Sequence, residues 1–358
     1  MKRWQLGLGL AVSAIFLFIA LNGLRLDEVW RLVQGADLLW LLPGVIVYFG
    51  AVAARTWRWA TLLRPVKPLP LRTLFPVVVI GYMGNNIYPF RAGELVRAYV
   101  LKRKRGVSVS ASLATVFIER IFDGVTMLLF VFLGLPLFAR YSQVQLPTSL
   151  ESIVVLGSLA FFGALLAFLI LASHPEQATH ALSWVLHRFV PHRFHETAHG
   201  LLDRFQAGLS TLRSGRDVLK IFVTSLVIWL TETLKYWFVL HAFPGMLAGP
   251  FADPFTAFYA LMLMNGIVNL ATTLPSAPGY VGTFDTPGIL VLTAFGIGRE
   301  VATAYTLVLH AALWLPITAL GAIYMLRESL SWQDFARASE ARSVVGAGPS
   351  LPGAVKEQ

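Results

Sequence analysis

Long apolar runs, separated by short polar and charged stretches, dominate the hydropathy pattern of the chain. Each run has roughly 20 residues, the length of an α-helix that crosses the hydrocarbon core of a bilayer. The pattern predicts an all-α, polytopic transmembrane helical bundle with one or two re-entrant or broken segments. Hydropathy gives about eight spans, at about 5–24, 36–54, 111–138, 151–172, 219–242, 254–274, 280–297 and 301–326.

The apolar piece 74–90 does not fit a simple crossing, because two glycines and Pro89 interrupt it. Basic loops flank it on both sides, and Lys and Arg accumulate in cytoplasmic loops. With both flanks cytoplasmic, the piece is predicted to enter and return, with protein or a wet cavity around its broken backbone. The second flank is the basic run 102–105, and the first holds five basic residues and no acid: Arg55, Arg58, Arg64, Lys67 and Arg72.

A second irregular segment spans residues 265–285. Asn265 and Asn269 are four residues apart and share a helical face, where they serve either as interhelical hydrogen-bonding groups or as ligands. Broken hydrophobic segments in both halves of a chain indicate a transporter binding site. The order of Asn, Pro, Gly and acid loosely repeats that of the first segment, either by chance or as an internal repeat. The helix is broken by Pro275, Pro278, Gly279 and Gly282, and Asp285 follows as a possible charged partner.

Arg91, Glu94 and Arg97 recur at three-residue spacing along a helix that begins just after Pro89. A helix N-terminus offers free N–H groups and a positive dipole, and two guanidinium groups beside it would make a phosphate site. The alternative is that these arginines anchor the helix at the headgroup layer. The broken backbone at the same place favours the phosphate site.

Three charged residues lie within the third apolar run, Glu119, Arg120 and Asp123. Charges at this depth are costly and mark ion, proton or substrate paths, unless they form a structural ion pair with an arginine such as Arg91 or Arg97. The two acids are four residues apart, so they repel unless a cation or a proton intervenes. Elsewhere, Glu232 and Lys235 are three apart and are predicted to pair with each other.

Composition narrows the chemistry of this 358-residue chain, which is 56% hydrophobic and 13% charged, with a mean hydropathy of +0.66. It contains no cysteine, which excludes disulfides, thiolate nucleophiles and cysteine-ligated metal centres, and we expect no cofactor. The net charge is +10, and the basic residues that produce it lie mostly between the apolar runs. They therefore indicate membrane topology and not nucleic-acid binding.

The polar insertion of about 174–218 is predicted to carry an amphipathic helix on the cytoplasmic surface. It contains His195, Glu196 and His199 in the H-E-x-x-H pattern of zinc metalloproteases. Six of the eight histidines fall between His174 and His199, so a chance match is easy here. We therefore predict no metal site and keep a membrane-bound zinc metalloprotease as the alternative.

Several of these motifs together resemble the lysylphosphatidylglycerol synthase transmembrane family, also called flippase-like. They are Asn86-x-x-Pro89-x-Arg91-x-Gly93-Glu94-x-x-Arg97, then Glu119-Arg120 and Asp123, then Pro275, Pro278-Gly279 and Gly282 to Asp285. The resemblance implies a transmembrane domain at 1–330 and lipid movement between leaflets. The tail at 331–358 is predicted to be disordered and cytoplasmic from its composition, which is rich in Ser, Gly, Ala and Pro. In the namesake, a soluble aminoacyl-transferase domain follows. We expect none here, and hence a translocation module without enzyme activity.

The sequence therefore predicts a flippase-like transporter of a phospholipid or of a polyprenyl- or hopanoid-type lipid. It is expected in the bacterial cytoplasmic (inner) membrane with both termini cytoplasmic. No ATP-binding motif is present, so transport is either driven by an ion or proton gradient or is a passive scrambling of lipid. An accessory scaffold for an envelope-lipid biosynthetic enzyme is a further alternative. The predicted substrate-binding residues are Asn86, Pro89, Arg91, Gly93, Glu94, Arg97, Glu119, Arg120, Asp123, Asn269, Pro275, Pro278, Gly279, Gly282 and Asp285.

Overall fold

The structure is a computed structural model that describes residues 3–88, 91–141, 156, 158–167 and 215–328. These ranges contain helices and no strand, so the predicted all-α class is confirmed. Pro89, the H-E-x-x-H motif, nearly all of the polar insertion and the tail lie outside the described residues. The helices are α1 (Arg3–Leu21), α2 (Leu26–Gln34), α3 (Leu41–Leu63), α4 (Leu71–Ile87), α5 (Gly93–Arg105), α6 (Val109–Tyr141), α7 (Ser158–Ala167), α8 (Gly215–His241), α9 (Pro254–Ala271), α10 (Asp285–Ala294) and α11 (Arg299–Arg327).

Three of the described helical segments are long and apolar enough to cross a membrane: Leu38–Leu63, Pro254–Ala271 and Arg299–Arg327. The number becomes four if the pair Leu10–Leu21 and Leu26–Gln34, bent by 86°, is one broken span. The predicted number of about eight is thus not confirmed. Helices α6 and α8, of 33 and 27 residues, are long enough to cross but carry charged side chains within their length.

Two predicted boundaries are wrong. The span predicted at 280–297 contains only α10, whose ten residues extend about 15 Å, roughly half of the hydrocarbon thickness. The span predicted at 36–54 is too short, because α3 continues to Leu63. Arg55 and Arg58 therefore lie inside a helix and not in a basic loop. They are stable there because carboxylates on other helices neutralise them.

Helices α4 and α5 form a hairpin, the first hairpin (71–105), whose two ends lie side by side. The Lys67 ammonium group donates to the Arg105 carbonyl at 2.7 Å, and the Arg105 guanidinium donates to the Thr73 hydroxyl at 3.3 Å. The apolar piece therefore forms one helix, α4, and the return is made by α5, so that the two basic flanks lie together at one end of the bundle as predicted. The helices touch at two glycines, where a Cβ on Gly93 would lie 1.8 Å from the Gly81 carbonyl oxygen.

Helices α9 and α10 with the segment between them form the second hairpin (254–294), and they pack against each other. Asp253 caps α9, because its carboxylate accepts hydrogen bonds from the backbone N–H and the hydroxyl of Thr256, at 2.8 and 2.6 Å. These bonds lower the pKa of Asp253. Between the helices, Pro278–Tyr280 form one turn of 3₁₀ helix.

The two halves α3–α6 and α8–α11 have the same order: a long helix, a hairpin and a second long helix. Helix α3 packs on α8, while each hairpin packs on the last helix of the other half, α4 on α11 and α9 on α6. The contacts correspond in detail. A Cβ on Gly321 of α11 would lie 2.5 Å from the Met83 Cβ, and a Cβ on Gly134 of α6 would lie 2.7 Å from the Leu263 Cβ.

The halves run in opposite directions. Near its start, at Gly44, α3 contacts Lys235 and Phe238 near the end of α8, while Arg58 near its end contacts Ser225 in the first half of α8. Oppositely directed halves that pack around one axis have the arrangement of an inverted repeat, as found in many transporters. This packing favours the internal-repeat alternative over chance. Each hairpin also has its own apolar cluster, which surrounds Ile80 and Leu101 in the first and Leu261 and Leu292 in the second.

Candidate functional site

A cavity of about 120 Å³ lies where the tips of the two hairpins meet in the middle of the bundle. Helices α3, α6, α8 and α11 close its sides. The first hairpin contributes Asn85, Asn86 and Arg91, and the second contributes Asn269, Thr272, Gly279 and Tyr280. Polar groups from both broken segments therefore line one cavity, which is the arrangement that the transporter hypothesis predicts.

The hairpin tips contact each other directly across this cavity. The Arg91 guanidinium donates to the Thr272 hydroxyl at 3.3 Å and lies 5.9 Å from the centre of the Tyr280 ring. Arg91 and Tyr280 are also the two non-glycine residues with positive φ in the described part of the chain, at +52° and +61°. Backbone strain of this kind costs free energy and occurs at ligand sites and switch regions. Both strained residues face the cavity.

Helix α11 supports the same junction from one side. The Asn86 carboxamide donates to the Thr318 hydroxyl at 2.8 Å, and the Asn86 carbonyl accepts from the Trp314 indole at 3.4 Å. Gly279 lies so close that a Cβ there would be 2.9 Å from the Trp314 indole nitrogen. The glycine at this position therefore lets the second hairpin pack closely against α11.

The charged groups in the cavity wall are mostly cationic. Arg55 and Lys235 both pair with Glu232, Arg55 at 3.1 Å. The pairing of Glu232 with Lys235 is confirmed, although both residues also line the cavity. Arg91 has no carboxylate partner among the described residues, and its buried Nε has no hydrogen-bond partner there. With Arg120, the wall carries four cationic side chains against one carboxylate.

A fully buried ion network lies beside the cavity, between α3 and α6. Arg58 donates to both oxygens of Asp123, at 2.7 and 3.1 Å, and its Nε lies 3.8 Å from Glu119. Arg97 pairs with Glu119 from the other side. The cation between the two acids is therefore Arg58, which the sequence interpretation had assigned to a loop. The alternative of a structural ion pair therefore holds for Glu119, with Arg97 as its partner.

Arg120 connects this network to the cavity. Its guanidinium is 3.3 Å from Asp123 and 3.5 Å from Glu94, and it lines the cavity wall. The Arg97 guanidinium instead lies 4.1 Å from the centre of the Trp59 ring. Of the two arginines proposed as a phosphate site, Arg91 faces the cavity and Arg97 belongs to the network.

Asp285 fixes the second broken segment through a histidine of α11. One oxygen of Asp285 accepts the Gly282 backbone N–H at 2.8 Å, and the other lies 2.8 Å from Nδ1 of His310. The Nε2 atom of His310 is 2.7 Å from the Gly279 carbonyl oxygen. Asp285 is thus the charged partner of this segment, as the sequence suggested.

The two asparagines of α9 differ in their surroundings. Asn265 is buried and donates to the Trp229 carbonyl and the Thr233 hydroxyl of α8, so it joins two helices. Asn269 donates to the Asn265 side-chain oxygen at 2.7 Å and lines the cavity. Only the second is placed to contact a ligand.

The structure divides the predicted site residues into three groups. Five of them line the cavity: Asn86, Arg91, Arg120, Asn269 and Gly279. Others lie outside the lining: Gly93 at the helix contact, Glu94, Arg97, Glu119 and Asp123 in ion pairs, Gly282 and Asp285 beneath the second tip, and Pro275 and Pro278 in the segment before it. Pro89 lies outside the described residues.

Sequence reasoning missed several lining residues, among them Arg55, Tyr82, His310 and Trp314. The signal for His310 was present, since a lone histidine within a long apolar run is costly in a membrane and indicates a function. Within the described ranges, no group of three or more His, Cys, Asp or Glu side chains could hold a metal ion.

Comparison with known proteins bears on this architecture. The family described as the lysylphosphatidylglycerol synthase TM region matches residues 6–321. The chain belongs to this family. A UPF0104 membrane protein of Methanothermobacter thermautotrophicus is 27% identical over 339 residues, covering 90% of this chain and 93% of the relative. No solved structure matches.

Two other archaeal relatives are similarly distant. A UPF0104 membrane protein of Pyrococcus horikoshii is 21% identical over 345 residues, covering 91% of this chain and 97% of the relative. Glycosyltransferase AglD of Haloferax volcanii is 26% identical over 343 residues, covering 90% of this chain. The match spans only 54% of AglD, about half the length of that protein.

Proposed function

We propose that this membrane protein is a flippase-like transporter that moves a phosphate-bearing lipid between the leaflets of the membrane. The observation that carries the proposal is the cavity between two oppositely directed hairpins, with four cationic side chains and one carboxylate in its wall. Hairpins that enter from opposite ends and meet at one site are suited to alternating access. The lipid is a phospholipid or a polyprenyl- or hopanoid-type lipid with an anionic phosphate.

Arg91 is the best candidate to bind that phosphate. Guanidinium groups bind phosphate through paired, charge-assisted hydrogen bonds. The other cations of the wall already have carboxylate partners, whereas among the described residues Arg91 contacts the Thr272 hydroxyl and the Tyr280 ring and no carboxylate. An anionic ligand would therefore gain the most from Arg91. The cavity accommodates a headgroup, and the acyl or prenyl chains would remain in the bilayer.

The distribution of charge supports an orientation in the cytoplasmic membrane. The ends of the first hairpin carry Lys67 and 102–105, and Lys104 pairs with Glu328 just beyond α11. By the positive-inside rule, this end of the bundle faces the cytoplasm. Arg299, at the start of α11, donates to the carbonyls of Ile19 and Ala20 near the end of α1. Helix α1 thus runs opposite to α11, which supports placing both termini in the cytoplasm.

We propose transport and not catalysis for the described part of the chain. The glycosyltransferase name belongs to AglD, of which this chain matches about half. The zinc-protease alternative depends on residues outside the described ranges. A scaffold for an envelope-lipid enzyme would not require a cationic cavity between two hairpins, so the cavity favours a transporter that acts on the lipid itself.

Replacing Arg91 by Ala is expected to weaken lipid retention while the protein stays folded. The loss of a charge-assisted guanidinium contact, roughly 1.5–3 kcal/mol, corresponds to about 10- to 100-fold in affinity. Native mass spectrometry of protein extracted with its own lipids measures the bound fraction and identifies the headgroup. Arg31→Ala is the matched control, since Arg31 is exposed on α2 and its carboxylate partner in the described part of the chain is Asp27, one turn away. Equal lipid retention in the two variants would contradict the proposed phosphate site.

Arg97→Ala separates binding from folding. Because Arg97 neutralises Glu119 outside the cavity, its loss is expected to lower thermal stability more than Arg91→Ala does. Folded Arg97→Ala protein is expected to retain lipid. Selective lipid loss from Arg97→Ala, with a melting temperature like that of the wild type, would place the phosphate at Arg97 instead.

A further inference from the structure

His310 of α11 lies between two hydrogen-bond acceptors that belong to the tip of the second hairpin. Its Nδ1 lies 2.8 Å from Asp285 Oδ1 and its Nε2 lies 2.7 Å from the Gly279 carbonyl oxygen. A carbonyl oxygen can only accept, and a neutral imidazole donates through one nitrogen only. Both contacts are therefore hydrogen bonds only while the His310–Asp285 pair holds two protons.

We propose that His310 is a proton-binding site that fastens the second hairpin to α11, and that loss of the proton releases the hairpin tip. The proton passes from Nε2 to water in the cavity, which His310 lines. The imidazole then keeps its Nδ1 proton for the Asp285 carboxylate. Its Nε2 lone pair faces the lone pairs of the Gly279 oxygen, and these two acceptors repel each other at hydrogen-bond distance.

The surrounding charges make proton binding by His310 depend on whether the second hairpin is docked. Asp285 stabilises a charged imidazole, while the cations across the cavity oppose it. Helix α2 contacts α11 near its N-terminus, where Arg25 interacts with Glu300. The charged groups that line the same cavity are Arg55, Arg91, Arg120, Lys235 and Glu232. The other titratable groups of the wall are Tyr48, Tyr82, Tyr236 and Tyr280.

Release of this contact would change the lipid site itself. Tyr280 follows Gly279 directly and lies against the Arg91 guanidinium. When the Gly279 carbonyl separates from His310, Tyr280 moves away from Arg91, and the guanidinium is freed for a phosphate. The link from proton to lipid rests on the proposed function. The proton-dependent docking of the hairpin does not.

Cysteine labelling measures the docking directly, because the chain has no cysteine of its own. Ser276, in the second hairpin, is 3% exposed, so a thiol in Ser276→Cys reacts with a maleimide only when the tip is released. The protection factor is the labelling rate in denaturant divided by the rate in the folded protein at the same pH. Between about pH 5.5 and about pH 8.5 we expect it to fall roughly tenfold or more, as one proton is lost.

Three variants identify the group responsible. Ser112→Cys, in a fully buried position of α6, reports global opening and is expected to show a constant protection factor. Adding His310→Gln to Ser276→Cys is expected to give low, pH-independent protection, because the amide does not titrate. His241 is the other histidine among the described residues. Adding His241→Gln to Ser276→Cys is expected to leave the pH dependence of the protection factor unchanged.

A constant protection factor in Ser276→Cys, or an unchanged pH dependence with His310→Gln, would overturn the proposal. If His310→Gln does not fold, Asp285→Asn is the substitute variant and is expected to remove the pH dependence of protection in Ser276→Cys. An unchanged pH dependence in Asp285→Asn would also overturn the proposal. The labelling requires no lipid. A protection factor that changes with pH in a protein that moves no lipid would contradict only the transporter proposal. Lipid transport by a protein whose protection factor is constant with pH would contradict only the proton-site proposal.

Discussion

Arg58→Met is expected to destabilise the protein by about 3–5 kcal/mol, the cost of breaking a buried ion pair from one side. The Arg58 side chain has 0% exposure and is the cation between Asp123 and Glu119. Removing it takes away the cation between two carboxylates that are four residues apart on α6. Glu119 keeps Arg97 and Asp123 keeps Arg120, but Arg58 no longer offsets their mutual repulsion in a dry interior. Thermal unfolding followed by size-exclusion chromatography in detergent measures the loss as a lower melting temperature.

Arg64→Met is the matched control for this change, because Arg64 belongs to the same helix end and is exposed. We expect its melting temperature to stay near that of the wild type. Adding Asp123→Asn to Arg58→Met removes one of the repelling charges and is expected to recover part of the loss. A double variant no more stable than Arg58→Met would show that repulsion between the two carboxylates is not the cause.

Gly93→Ala is expected to force the first hairpin open and to cost about 3 kcal/mol, the upper end of the usual cost of overpacking. The added Cβ would lie 1.8 Å from the Gly81 carbonyl oxygen and 2.6 Å from the Asn85 backbone nitrogen. Both obstacles are backbone atoms, so no side-chain rotation relieves the clash. Because Arg91 lies just before Gly93, lipid retention should fall together with the melting temperature.

Gly124→Ala serves as the control for Gly93→Ala. Gly124 lies within α6, and a Cβ there meets no atom within 4 Å. In a helix interior this change is expected to be neutral or stabilising by roughly 0.5–1 kcal/mol. A Gly93→Ala protein with the stability and lipid retention of Gly124→Ala would mean that the α4–α5 contact is not as close as described.

The broken segments could be recognised from the sequence because their signals are local. Glycine, proline and asparagine at the end of an apolar run predict a break wherever the chain goes next. Basic residues on both flanks of 74–90 further predicted that the chain returns. The same local reasoning placed Arg91, Asn86, Asn269 and Gly279 at one site, and the structure brings these residues together.

The partners of the buried charges could not be predicted, because they depend on which helices become neighbours. Arg55 lies 177 positions from Glu232, and Arg58 lies 65 from Asp123. Next to Arg64, these two arginines look like part of a basic loop. An arginine inside a helix is stable only if a carboxylate from another helix reaches it, and helix packing, not sequence spacing, decides that.

The two halves have the same architecture, but the connections that lead into their hairpins differ in charge. The first half has Lys67 and the basic run 102–105 at the mouth of its hairpin, whereas the equivalent stretch 243–253 of the second half has no Lys or Arg. Insertion machinery retains basic segments on the side where they are synthesised. The opposed directions of the halves therefore accompany a difference in charge between hairpins of similar shape.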